Sequence, residues 1–193
     1  MGDPVLHLIA GPNGAGRTTL HRAVIGPVVH LPFINADVIA QQRWPGAAME
    51  HAYQAAALAT QERADCLAER RSFVTETVFS HPSKLELLEA AKTAGYRTYL
   101  HIVLIPEELA VARVIERVTA GGHAVPEEKI RGRFARLWAH VALAIQIADE
   151  ARVYDNSDPR HPLRLVATYV NGQAAGTPTW PAWVPNELRD AGR

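Results

Sequence analysis

Gly11-Pro12-Asn13-Gly14-Ala15-Gly16-Arg17-Thr18-Thr19 follows the apolar run Val5–Ala10 and precedes a segment of helical character. The spacing is that of the phosphate-binding loop GxxxxGK followed by Ser or Thr, with Arg17 in the place of the lysine. Glycines let such a backbone curl until successive N–H groups and a helix N-terminus converge on phosphate oxygens, and the following hydroxyl can ligate Mg2+. Thr18 supplies that hydroxyl. Gly11, Pro12, Asn13, Gly14, Ala15, Gly16, Arg17, Thr18 and Thr19 are therefore expected to hold ATP, with Thr18 on the metal. The competing reading is a glycine-rich strand-to-helix turn without a ligand. A guanidinium is broader than an ammonium and fixed in a planar fork. Phosphate binding is thus expected to survive at Arg17, and alignment of the γ-phosphate is the property placed in question.

Outward from the loop, short apolar or β-branched runs alternate with longer helical patterns. Strands are expected at Val5–Ala10 and at residues 31–36, 72–77, 96–105, 152–155 and 163–170. Helices are expected at residues 50–71, 84–94, Glu107–Thr119 and from 127 to about 151. In the third of these Val111, Ile115 and Val118 mark the apolar side. In the fourth, Ile130, Phe134, Leu137, Val141, Ala144 and Ala148 form one stripe. This order predicts an α/β fold, a three-layer sandwich with a central, mostly parallel sheet and helices on both faces. Residues 1–193 read as one domain, ending from about residue 172 in an irregular tail with Pro178, Trp180, Pro181, Trp183 and Pro185.

The 193 residues are 48% hydrophobic and 21% charged, a balance that excludes disorder for the bulk of the chain. Twenty Lys+Arg against twenty Asp+Glu give zero formal charge. No global basic field exists to drive nonspecific binding of nucleic acid or an anionic membrane, so any anion must be held locally. The single cysteine, Cys66, excludes an intramolecular disulfide and reads as a small buried residue. No apolar run is long enough for a membrane span, and no leader pattern precedes the first strand, so a cytoplasmic location is expected.

Four further segments accompany the loop in order. Phe33-Ile34-Asn35-Ala36-Asp37 closes the second expected strand, and Phe73-Val74-Thr75-Glu76-Thr77-Val78-Phe79-Ser80 runs off the third. Arg113-Val114-Ile115-Glu116-Arg117-Val118, Gly121-Gly122-His123 and Val125-Pro126 lead into Lys129-Ile130-Arg131-Gly132-Arg133-Phe134. Asp155-Asn156-Ser157 follows a late strand. Together these resemble the zeta toxin family of P-loop kinases over residues 5–157. The resemblance implies a kinase-like fold with a five-stranded parallel sheet. It further implies transfer of the γ-phosphoryl of ATP to the 3′ hydroxyl of UDP-N-acetylglucosamine or a related UDP-amino sugar, and an antitoxin partner that holds the enzyme inactive.

By that resemblance Asp37 matches the catalytic base, and Arg117 and Arg133 match lid cations that act with Arg17 on the transferred phosphoryl. Glu76 and Thr77 match sugar-nucleotide contacts, with Asn35 and Ser80 as further acceptor contacts. Arg113 is implied at the adenine or in holding the lid, and residues 155–157 beside the adenine. Each position also has a plainer reading. Asp37 can cap the helix after it, Glu76 and Thr77 can cap theirs, and residues 155–157 can form an Asx-turn. Arg113 and Arg117, at i and i+4, share a helix face, while Arg131 and Arg136 read as solvated. His123 reads as a turn residue, since no second ligand lies at metal spacing. Two other functions stay open: a degenerate kinase that binds nucleotide and acts by interaction, suggested by Arg17, and a kinase for another small-molecule or nucleic-acid hydroxyl.

Overall fold

The computed structural model describes residues 2–119 and 125–191. The elements are β1 (Val5–Ala10), α1 (Arg17–Leu20), a π-helical turn (His21–Ile25), α2 (Gly26–Val29), β2 (Phe33–Ile34), α3 (Ala36–Arg43) and α4 (Ala52–Ala68). They continue with β3 (Phe73–Thr77), α5 (Ser83–Thr93), β4 (Arg97–Leu104), α6 (Glu107–Thr119), α7 (Glu127–Ile147), β5 (Glu150–Asp155), β6 (Arg164–Val170), β7 (Gln173–Ala174) and α8 (Asn186–Arg189). The strands form one sheet in the order β2-β3-β1-β4-β5-β6-β7. The first five are parallel, and β6 and β7 are antiparallel additions.

Alternation along the central strands builds the layers. Leu6, Leu8 and Ala10 with Leu100, Ile102 and Leu104 pack against apolar residues of α4, α5, α7 and α8. Ile9, Val74, Val103 and Ile105 point the other way, onto Leu20, Ile25 and the Ala110–Val111–Val114 side of α6. Both faces of β1 and β4 are thus covered, the condition under which parallel strands read as near-continuous apolar runs.

Local chemistry moves several boundaries from their expected places. The second strand shrinks to Phe33–Ile34 because Asn35 caps α3, its Oδ1 accepting from the N–H groups of Asp37 (2.7 Å) and Val38 (3.1 Å). The long C-terminal helix ends at Ile147 rather than near residue 151, since Ala148 is extended. There Asp149 accepts hydrogen bonds from the N–H and hydroxyl of Thr98, pinning the turn to β4 so that β5 begins at Glu150. On α6 only Val111 of the expected stripe is buried. Ile115 and Val118 are exposed, because Ala110, Val111 and Val114 form the face turned to the sheet. Gly121, Gly122 and His123 lie outside the described residues.

The tail carries structure that its composition hides. Asn171 and Gly172, both with positive φ, turn β6 back into β7, the Asn-Gly signature of a tight hairpin. The chain then crosses the sheet's larger core, where Val184 and Leu188 are buried and Trp180 and Trp183 pack against it. Leu188→Ala should therefore destabilise the whole protein by about 2–5 kcal/mol, the cost of an apolar cavity. Chemical denaturation measures this, and a change below about 0.5 kcal/mol, as at a surface site, would show the tail to be a passive appendage.

Candidate functional site

The loop leaves the C-terminal end of β1 between β3 and β4, where open parallel sheets place their ligands. Its path allows no side chain at two glycines. A Cβ on Gly11 would lie 2.7 Å from the carbonyl oxygen of Val103. One on Gly16 would lie 2.6 Å from Asn156 Nδ2, at a residue whose φ of 91° is left-handed. Asn156 is a clamp: its Nδ2 donates to the carbonyl of Ala15 (2.8 Å), and its Oδ1 accepts from the N–H of Leu163 (3.3 Å). Arg113 reaches across from α6 to the carbonyls of Gly14 (3.4 Å) and Asn156 (3.0 Å). Arg113 thus braces the loop. Asp155 closes an Asx-turn on the N–H of Ser157 (2.9 Å) and pairs with Arg164 (3.1 Å).

Arg17 folds back beneath the loop. Its Nη1 donates to the carbonyls of Gly11 (2.5 Å) and Pro12 (2.8 Å), while its Nε lies 4.0 Å from Glu76 Oε1. The pairing of Ile9 with Glu76 sets that carboxylate on the face of the sheet occupied by α1. There it accepts hydrogen bonds from the hydroxyl of Thr18 at 3.0 and 3.1 Å. Burial pushes the pKa of the Arg17 guanidinium down. The charges of Glu76 and Asp37 oppose this shift, and those of Arg117 and Arg133 add to it. The fold has thereby brought three cations and two carboxylates, from α1, α3, β3, α6 and α7, within electrostatic range of one another.

The remaining sequence candidates fall around this cluster. Asp37 stands exposed in the first turn of α3, its backbone capped by the buried Asn35. Thr77 Oγ1 accepts from the N–H of Phe79 (3.3 Å), and Ser80 follows it, half-buried. Arg117 is exposed at the end of α6 and Arg133 half-buried on α7. Arg131 is tied to Glu107, Glu108 and Glu127 and joins α6 to α7.

Beside Arg133 a cleft of about 350 Å³ opens between the start of α4 and the start of α7, lined by Met49, Tyr53, Val125, Pro126, Lys129 and Arg133 among others. Tyr53 is 88% and Met49 57% exposed, unusual for large apolar side chains. Lys129 makes no hydrogen bond or ion pair among the described residues. In the sequence Tyr53 is hidden in an alanine-rich helix, and Lys129 stands out only as one cation of the segment 129–134. Only their convergence distinguishes them.

The family model for zeta toxin matches residues 1–161. Among curated proteins, none matches this sequence. Among solved structures, the AvrRxo1-ORF1:-ORF2 complex with ATP is similar to it, with a TM-score of 0.72 at 15% identity over 95% of this chain and 66% of the other. The PezAT chromosomal toxin-antitoxin system of Streptococcus pneumoniae superposes with a TM-score of 0.59 at 15% identity, over 80% of this chain and 69% of the other. The Pnkp1/Rnl/Hen1 RNA repair complex gives 0.56 at 17% identity, over 73% and 46%. The chain spans about two thirds of the length of the first two. At these identities the superpositions establish the α/β fold, and the family match rests on the sequence itself: the chain belongs to the zeta toxin family.

Proposed function

We propose that this protein is an ATP-dependent kinase that transfers the γ-phosphoryl group to a hydroxyl of a UDP-amino sugar such as UDP-N-acetylglucosamine. One observation carries the reading. A glycine-rich loop leaves the C-terminal end of the central strand with the Thr18 hydroxyl 3.0 Å from Glu76, and the charges of Asp37, Arg117 and Arg133, from three separate helices, are felt at its Arg17, the kind of groups that phosphoryl transfer uses for positioning and charge neutralisation.

In this reading residues 11–19 bind the polyphosphate of ATP through loop amides and the N-terminus of α1. The surplus of cations over carboxylates in the cluster favours a polyanion. Asp37, exposed at the C-terminal edge of the sheet, accepts the proton of the attacking hydroxyl. Arg117 and Arg133 neutralise the charge that spreads over the equatorial oxygens of a loose transition state. The donors at Thr18 and Glu76 are a hydroxyl and a carboxylate 3.0 Å apart, a pair of hard oxygens suited to Mg2+. Such an ion, when bound, offsets phosphate charge and orients the β and γ oxygens.

The cleft at Tyr53 suits the acceptor. Lys129 and Arg133 offer two cations to a diphosphate, and the exposed Tyr53 ring offers a stacking surface to a uracil. Asn35, Glu76, Thr77 and Ser80 stand nearer the loop as candidate sugar contacts, and the plan of the family adds an antitoxin that blocks the site. ATP as donor agrees with a cytoplasmic enzyme.

The test is transfer of labelled phosphate from ATP to a panel of UDP sugars, with free sugars and 5′-hydroxyl oligonucleotides as alternative acceptors. Preferred labelling of a UDP-amino sugar supports the proposal. Labelling only of oligonucleotides makes the chain a nucleic-acid end kinase, and ATP binding without transfer makes it a degenerate binder.

Asp37→Asn should lower kcat by about 10²- to 10⁴-fold while ATP affinity by calorimetry stays within about twofold, since a general base acts in the transition state. Unchanged turnover would remove the kinase reading. Thr18→Ala should abolish the Mg2+-dependent part of ATP affinity. Arg17→Lys should lower turnover by roughly tenfold or more, because one ammonium nitrogen on a different stem does not fill both the position from which Nη1 holds the Gly11 and Pro12 carbonyls and the position from which Nε faces Glu76. A gain in turnover would instead mark the natural protein as weakened by its arginine.

A further inference from the structure

A second cavity, of about 400 Å³, lies on the α2 side of the sheet, over the opening half of the parallel strands. It is removed from the ATP loop, which leaves β1 at Ala10, whereas the cavity begins at Val5 and His7. His7, Tyr99, His101 and Tyr154 form its floor, and Val24 and Val28, 39% and 76% exposed, form its apolar rim.

The floor is a row of near-parallel rings. His7 stacks on Tyr99 at 4.8 Å and on His101 at 5.3 Å, and His101 on Tyr154 at 6.3 Å. His7 Nδ1 and His101 Nε2 share one hydrogen bond of 3.0 Å. Burial pushes the pKa of His7 down to about 4 and that of His101 to about 3, so both imidazoles are neutral at pH 7.

Neutrality restricts where the protons sit. If His7 donates, His101 must carry its proton on Nδ1, which is buried and has no partner among the described residues. An orphaned buried N–H is the rarer defect in native structures, so His101 donates from Nε2 and leaves Nδ1 bare. His7 then carries its proton on Nε2, which makes no hydrogen bond among the described residues. The cavity wall therefore holds one unanswered N–H. Arg152, also on the wall, is engaged by Glu150 at 2.5 Å, and the positive field that it still exerts on His7 and His101 favours the negative end of a carbonyl dipole.

We propose that this cavity is a binding site for a neutral, planar aromatic molecule with one acceptor oxygen, a ring ketone or its equivalent. The ring lies between the valine rim and the row of imidazole and phenol rings, and the oxygen accepts from His7 Nε2–H. Nothing in this site takes part in the proposed phosphoryl transfer, so its test stands apart from the kinase assay.

The test uses 1-indanone and its deoxygenated isostere indane, titrated into the whole protein and followed by the imidazole 15N and 1H signals of His7. 1-Indanone should bind saturably, move the His7 signals and exceed indane in affinity by about threefold or more, the net worth of one hydrogen bond exchanged for one to water. His7→Phe should reduce that ratio to about one. Absence of saturable binding of 1-indanone to the wild-type protein at millimolar concentration, or equal affinity for the two probes, would overturn the proposal without reliance on any variant.

Discussion

A buried guanidinium beneath a glycine-rich loop is the constraint on which the candidate site depends. A loop with glycines at positions 11, 14 and 16 loses more backbone entropy on ordering than a loop of ordinary residues. Arg17 offsets this by holding the carbonyls of Gly11 and Pro12 from one nitrogen while its Nε faces the carboxylate of Glu76. Glu76 belongs to the neighbouring strand, is set by sheet register and accepts from the Thr18 hydroxyl at 3.0 Å, so the end of the loop is anchored to the core of the fold. Arg113 and Asn156 complete the clamp from the other side. Arginine at this position is therefore a structural member of the loop.

That anchoring decides what surrounds it. With α1 held against the sheet, the hydroxyl of Thr18 meets Glu76, the carboxylate that the family resemblance assigns to the acceptor. Asp37 comes in from α3 because Asn35 stops β2 after two residues and turns the chain. Arg117 and Arg133 belong to α6 and α7, which Arg131 of α7 ties together through Glu107 and Glu108 of α6. Three cations and two carboxylates thus act on one another there.

Much of this was legible before the fold was known. The loop, the central strands and the amphipathic α7 follow from local rules, in which glycine spacing and apolar period suffice. Other features depended on partners distant in sequence. Arg113 reads as one of several arginines on a helix until Gly14 and Asn156 are placed beside it. Ile115 and Val118 fit a helical stripe, yet the face that packs is chosen by where α6 meets the loop and sheet. The tail looked irregular by composition, although Asn171-Gly172 carried a hairpin signal and Leu188 an anchor.

The chain by itself determined that a glycine-rich loop with phosphate-binding spacing follows a buried strand, that the fold is α/β, and that Arg17 stands where that spacing has a lysine. These are properties of short windows, governed by backbone conformation, hydrophobic period and side-chain chemistry. Only the tertiary structure decided that Arg17 turns back under the loop, that Glu76 meets Thr18, that Tyr53 faces Lys129 and Arg133 across a cleft, and that His7 and His101 share a hydrogen bond in a second cavity. Each of those depends on strand register or helix docking between residues far apart in the chain, which the global packing of the core selects and no local window contains.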